Sequence, residues 1–255
     1  MHKNGTKINK NILYNHFHRM IRGCAIARAP LSKVAPMIKT GAQKGQRAMF
    51  KNLIKHTLKL SMKGFERGPH MTRYTMYERM ERHRFTPEPG ARVLSVSHST
   101  KLCARMGLGD CQIDEANFPD HDLLDLKGFE DGAYDFIVSD QVLEHVQGNP
   151  KLAMEESLRV LKPGGIAIHT TCFINPVHDY PHDYWRFTPN ALELLCEDFG
   201  EVIDCDGWGN FSVWLLERVG LRYEKLPAAK WHPLTKLAIR DDPEWPIVTW
   251  IIARK

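Results

Sequence analysis

The stretch AYDFIVSDQVLEHVQGNPKLAMEESLRVLKPGGIAIHTTC, residues 133–172, constrains the fold more than any other part of the chain. It opens on a short apolar run around Phe136, Ile137 and Val138, as in a strand covered on both faces. An amphipathic helix follows, with Leu152, Leu158 and Leu161 at helical spacing and Glu155 and Glu156 among them. LKPGG stops that helix, and IAIHTTC reads as the next strand. Strand, helix and strand in that order pair as a parallel unit with a right-handed crossover.

The same alternation extends in both directions. Upstream, FTPEPGARVLSV marks a boundary, because Pro87, Pro89 and Gly90 do not extend a helix. RVLSV then reads as a strand, TKLCARMG as a short helix ending near Gly107, and CQIDEANF as a strand. Downstream, TPNALELLCEDFG reads as a helix with Thr188 at its N-cap and Pro189 in its first turn. EVIDCD and IVTWIIARK read as further strands. The expected class is α/β, a Rossmann-like and mostly parallel sheet, occupying residues 87–255.

Residues 1–86 differ in kind. The first 84 residues hold nineteen Lys/Arg against three Asp/Glu, and the rest hold sixteen against twenty-seven. NILYNHFHRMIRGCAIARA and QRAMFKNLIKHTLKLSMKGF read as basic amphipathic helices, a basic helical N-terminal extension. Such helices suit an anionic membrane surface. They also suit nucleic-acid phosphates, with Tyr74, Tyr77 and Phe85 interleaved among Arg73, Arg79 and Arg82 for stacking. No named nucleic-acid motif is present, which favours the membrane surface or simple packing of the two halves. The chain lacks a run of eighteen apolar residues and a secretory h-region. Its six cysteines form no CxxC pair, so a reduced, cytoplasmic protein without a zinc site is expected, peripheral to the membrane if the arm binds there.

Three segments carry a family resemblance: HDLLDLKGFEDGAYDFIVSDQVLEHV (121–146), ESLRVLKPGG (156–165) and HDYWRFTPNAL (182–192). Together they resemble the class I S-adenosylmethionine-dependent methyltransferases of the type 11 kind, over roughly residues 92–200. The resemblance implies a seven-stranded sheet with the last strand antiparallel, which IVTWIIARK can supply. It also implies S-adenosylmethionine across the carboxyl ends of the strands, where ligands of such sheets lie.

Position by position, the resemblance places the loop Ser95, Ser97, His98 and Ser99 beneath the methionine part of the cofactor. Asn117, beside Glu115, falls where an acidic residue holds the ribose. Asp122 and Leu123 fall where the adenine is read, and Asp140 and Gln141 face the methionine end. Helix capping or turn formation is the competing role for Asp122 and Asp140.

The first motif departs from the family, because Ser95, Ser97 and Ser99 stand in place of an acidic residue and glycines. Losing one charge-assisted hydrogen bond costs about 1.5–3 kcal/mol, which weakens a site without erasing it.

Methyl transfer to a hydroxyl needs a proton acceptor. NPVHDYPHDYWRF offers His178, Asp179 and His182 for that role, and His145 of LEHV joins them as an orienting residue. Trp185 and Phe187 are expected in the core. The function expected is O-methylation of a saccharide or another polar small molecule or glycan. The alternatives are a non-catalytic module that has lost its cofactor loop, and a nucleic-acid methyltransferase using the basic arm. VHDYPHD spells out no tetrahedral ligand set, so no metal centre is expected. The acceptor and the oligomeric state are not legible.

Overall fold

The structure, a computed structural model, describes residues 41–178 and 182–255, with side chains from residue 48 onward. The expected helix at 11–29, Cys24 and Asp179 lie outside the described residues. The chain divides into two compact units, Met1–Arg47 and Ala48–Lys255. The second unit holds everything that follows.

The six strands read from the sequence are all present. They are β2 (Arg92–Val96), β3 (Gln112–Ala116), β4 (Tyr134–Asp140), β5 (Leu161–Cys172), β6 (Glu201–Trp208) and β8 (Val248–Arg254). They form one sheet in the order β3-β2-β4-β5-β8-β6. The pairs β2/β3, β2/β4 and β4/β5 are parallel, and β8 runs antiparallel to both β5 and β6. The last strand is antiparallel, as expected. The main sheet has six strands, however, where the family resemblance implied seven. The stretch 117–133 between β3 and β4 contains turns, and it is too short to hold a crossover helix and a further edge strand.

Alternation along the strands divides the core in two. Val93, Phe136, Val138, Ile166, Ile168, Trp250 and Ile252 face one side. Leu94, Val96, Ile137, Ala167, Ile251 and Ala253 face the other. On the second side lie α4 (Pro150–Val160) and α5 (Pro189–Leu195), each capped by its own sequence. Asn149 accepts from Lys151 N ahead of Pro150, and Thr188 accepts from Ala191 N ahead of Pro189. The buried stripe of α4 is not the leucine stripe expected. Ala153, Met154, Ser157 and Val160 face the sheet, while Leu152 is 42 % exposed. Small side chains let this helix approach β5 closely enough for Ser157 to bond a buried histidine there.

On the first side the core reaches ahead of residue 87. Met62, Met71, Met76 and Met80 are fully buried in the same cluster as the sheet. They belong to the segment following α1 (Gly41–Ser61), to β1 (Arg67–His70) with its turn, and to α2 (Tyr74–Met80). β1 pairs with β7 (Lys225–Pro227) in a separate two-stranded sheet. The short α3 (Thr100–Arg105) ends before Gly107, whose φ is +85°. A Cβ at Gly107 would stand 2.3 Å from the Phe85 carbonyl oxygen, so glycine here lets the 85–91 segment lie against the helix. The remaining helices, α6 (Phe211–Leu216) and α7 (Pro233–Ala238), complete this side. Among the described residues, no helix is long and apolar enough to cross a membrane.

Candidate active site

β2 has β3 on one side and β4 on the other, so the strand order reverses at its carboxyl end. Among the described residues, three non-glycine residues have left-handed φ: Ser97 (50°), His98 (62°) and Gln141 (61°). All three follow the carboxyl ends of β2 and β4. Left-handed backbone costs an ordinary residue about 1–3 kcal/mol, and such strain collects at functional sites. The loop lacks the glycines of the family motif, yet its backbone takes the conformation that glycine would permit.

That conformation is held by a full set of hydrogen bonds. Ser97 N donates to Ala116 O (3.0 Å). His98 N donates to Asn117 Oδ1 (2.9 Å), and Asn117 Nδ2 donates to Glu115 Oε2 (2.8 Å). Ser99 Oγ donates to Val96 O and accepts from Asp140 N (2.8 Å), which ties the two loops together. His98 points outward, its side chain 79 % exposed. Asn117 positions the loop, and the exposed carboxylate beside it belongs to Glu115. Ser95 is fully buried within β2 with its hydroxyl unpartnered, and it does not open onto the loop region.

At the end of β4, Asp140 is enclosed by partners. Its Oδ2 accepts from Tyr77 OH (2.6 Å) and Arg73 Nη1 (2.8 Å), and its Oδ1 accepts from Thr170 Oγ1 (2.8 Å). Burial and the neighbouring Asp140 carboxylate push the Tyr77 hydroxyl well above the usual phenol range. Gln141 N donates to Thr170 O (3.0 Å). The charge reaching this spot from the N-terminal region was not readable as a site, because Arg73 is remote in sequence and only packing brings it here. Tyr74 and Tyr77 are buried, so they are not free to stack on bases.

The loops after β4 and β5 bring another group together. Glu144 is fully buried; its Oε2 accepts from Thr171 Oγ1 (2.9 Å), while its Oε1 has no partner among the described residues. Burial raises its carboxyl above the usual range. His145 and His178 stack edge to face, with ring centres 5.0 Å apart. His145 Nδ1 donates to the His182 carbonyl oxygen (2.5 Å). His178 Nδ1 lies 3.2 Å from both Pro176 O and Asp183 Oδ2. Burial, then the Arg222 charge, lowers His178 from the ordinary histidine value.

Asp183 takes the orienting role read for Asp179. Burial would raise its carboxyl, but bonds from Arg186 and His178 N outweigh it and hold Asp183 at about 2. The His182 ring is exposed and lies beside Tyr184. Glu144 and Thr171 were missed in the sequence; the one signal was a carboxylate next to the histidine of LEHV.

Asp122 Oδ1 accepts from Leu124 N (2.9 Å) in a turn, and Leu123 is buried. Phe187 is buried as expected. Trp185 is 37 % exposed instead, because its indole N–H reaches out to Val146 O (3.0 Å). A recess lined by Phe85, Pro89, Asp135, Lys162 and Gly165 lies at the amino ends of the strands and holds none of the residues read as a site.

Comparison with known proteins places a methyltransferase domain over residues 82–169. No curated protein matches the sequence. Among solved structures, the chain is similar to phosphoethanolamine N-methyltransferase 2 of Haemonchus contortus in complex with S-adenosyl-L-methionine. That match has 16 % identity and a TM-score of 0.46, and covers 71 % of this chain and 52 % of that one. The chain thus spans about half the length of that protein. It is also similar to a putative methyltransferase bound to the Trm112 activator of Haloferax volcanii, at 14 % identity and a TM-score of 0.46, covering 82 % and 94 %. A third is a SAM-dependent methyltransferase of Thermotoga maritima, at 13 % identity and a TM-score of 0.42, covering 81 % and 98 %.

Proposed function

Starting from residues 82–169 as a class I S-adenosylmethionine-dependent methyltransferase domain, we propose that this chain methylates an oxygen of a polar acceptor, of which a saccharide or glycan hydroxyl is the leading type. The observation that carries the reading is the strain shared by Ser97, His98 and Gln141 at one point of the sheet. It supports a cofactor cradle that survives without its glycines.

The residues there fit the cofactor chemically. Glu115, steadied by Asn117, offers a carboxylate to ribose hydroxyls. Arg73 spends one terminal nitrogen on Asp140 and Tyr77, and its other N–H groups remain for an anionic group such as the methionine carboxylate. S-adenosylmethionine supplies an electrophilic methyl group on a good leaving group, so positioning provides much of the rate. The remaining task is the acceptor's proton, and the group Glu144, His145 and His178 is suited to it. The Nδ1 atoms of both imidazoles are oriented by acceptors, leaving Nε2 toward an acceptor.

Calorimetric titration with S-adenosylmethionine and S-adenosylhomocysteine tests the reading. Micromolar binding, weakened in Glu115→Ala, is expected, whereas no binding at millimolar ligand by folded protein would overturn it. Transfer of radiolabelled methyl groups across a panel of glycosides then tests the acceptor, with a loss of about 100-fold or more expected in His178→Ala.

The anionic membrane surface remains the proposed partner of the N-terminal region. Met49, Phe50, Leu53 and Leu60 are exposed on α1 in company with Lys51 and Lys59, which supports it. Flotation with anionic liposomes, lost at high salt, is the expected result.

A further inference from the structure

We propose that Glu144, His145 and His178 form a binding site for one divalent transition-metal ion, of the kind that takes two imidazoles and a carboxylate. Each residue offers one ligand atom, and these atoms lie within 4.8 Å of one another. Around an ion with bonds of about 2.0–2.1 Å, ligand atoms stand roughly 3–3.5 Å apart, so small side-chain rotations close the set.

Three independent features point to a cation. The first is the orphan oxygen. Glu144 is wholly enclosed, one oxygen is satisfied by Thr171, and the other has no partner. A buried unpaired carboxylate oxygen is costly, and a cation is the partner that removes the cost. The second is the state of the histidines. The His145 ring donates through Nδ1 to a backbone carbonyl, and the His178 ring is held at Nδ1 by a carbonyl and by Asp183. Metal-binding histidines are fixed in this way by the nitrogen they do not use for the metal. The third is rigidity. Asp183 is itself locked by two contacts from Arg186, one of 2.6 Å, and Glu144 O accepts from both Tyr184 N (2.8 Å) and Trp185 N (3.1 Å). Both loops are therefore pinned to each other before any ligand arrives.

Two neutral imidazoles and one carboxylate, with positions left over, suit Zn²⁺, Mn²⁺, Fe²⁺ or Co²⁺ rather than Ca²⁺ or Mg²⁺, which prefer all-oxygen sets. Three protein ligands leave a position open for a ligand from solution. On the methyl-transfer reading, on which this consequence alone rests, that position takes the acceptor oxygen and lowers the pKa of its hydroxyl. The sequence expectation of no metal centre failed because Glu144 comes from the loop after β4 and His178 from the loop after β5. Neither local stretch spells out a ligand set.

The test uses the full chain, stripped with a chelator and dialysed against Co²⁺ and, separately, Zn²⁺. Metal content and the visible Co²⁺ absorption bands are read for wild type, Glu144→Gln, His178→Ala and the control His56→Ala. His56 lies on an exposed part of α1, and the chain has thirteen histidines that could bind metal loosely. About one equivalent per chain is expected in wild type and control, with affinity about 100-fold weaker in His178→Ala and Glu144→Gln. The affinity loss expected exceeds the 10–100-fold typical of supporting residues or sits at its upper end. His178 is partly exposed, so its variant remains informative if Glu144→Gln does not fold. Equal binding by wild type and His178→Ala, or no binding by wild type, overturns the proposal. Cofactor titration of the same samples keeps the two readings apart: bound cobalt without cofactor binding sinks the methyl-transfer reading and leaves the cation site standing.

Discussion

The two loop regions at the carboxyl edge of the sheet are built by different means. The loop after β2 is shaped by backbone: left-handed Ser97 and His98, held by carbonyl and amide partners. The loops after β4 and β5 are shaped by side chains, with Asp140, Glu144 and Asp183 each buried and each fixed by named partners. A region made by backbone tolerates change of residue type as long as the torsions survive. A region made by buried charge does not, because each group removed leaves its partner unpaired in a poor solvent.

The sharpest way to break that contrast is Asp140→Ala. It leaves the Arg73 guanidinium, nine-tenths of whose partners lie inside the protein, without its carboxylate. A loss of about 3–5 kcal/mol in unfolding free energy is expected, read from urea denaturation. A loss below about 1 kcal/mol would place the pair with ordinary surface ion pairs and remove the contrast.

A second test uses pH. His169 is fully buried between Ser139 and Ser157, and burial lowers it to about 4. The unfolded histidine takes up a proton near 6.5, whereas the folded one resists until about 4. The unfolded state therefore binds more protons across that window. The stability contributed by neutral His169 is complete above about 6.5 and declines as pH falls toward 4, by about 3 kcal/mol at about 1.4 kcal/mol per unit. Unfolding free energies of wild type and His169→Gln, measured between those limits, check it. If the two slopes coincide, His169 is not the group responsible.

The backbone-made loop should respond in the opposite sense and by less. His98→Gly removes the strain of a left-handed side-chain-bearing residue and is expected to stabilise by about 1 kcal/mol with cofactor affinity unchanged. Destabilisation would mean that the exposed imidazole makes a contribution its surroundings do not suggest. Smallest is Asn117→Ala, which frees His98 N and Glu115 and should cost about 1 kcal/mol by thermal denaturation, with a weaker hold on the cofactor ribose.

The same contrast explains what the sequence disclosed. Every strand of the main sheet and the caps of α4 and α5 were legible, because apolar runs, Pro150 and Pro189 act within a few residues of themselves. The loop after β2 looked degenerate because residue type stood in for torsion, and torsion was what persisted. Arg73 with Asp140, and Glu144 with His178, were invisible as pairs because each is joined only by the folded chain. The place of Met62, Met71, Met76 and Met80 in the core was missed for a related reason: the charges around them drew attention to a basic arm, whereas their burial depends on β1, α2 and β7 closing over the sheet.

The position of β8 bears on the order in which the protein can assemble. It is the last strand in the chain, yet it lies between β5 and β6 and bonds to both. During synthesis, β2 to β5 can pair as they emerge from the ribosome, but β6 has no neighbour in the sheet until residues 248–254 follow it out. A ribosome paused anywhere between β6 and β8 would therefore hold a nascent chain with two open strand edges, the form most exposed to wrong pairing.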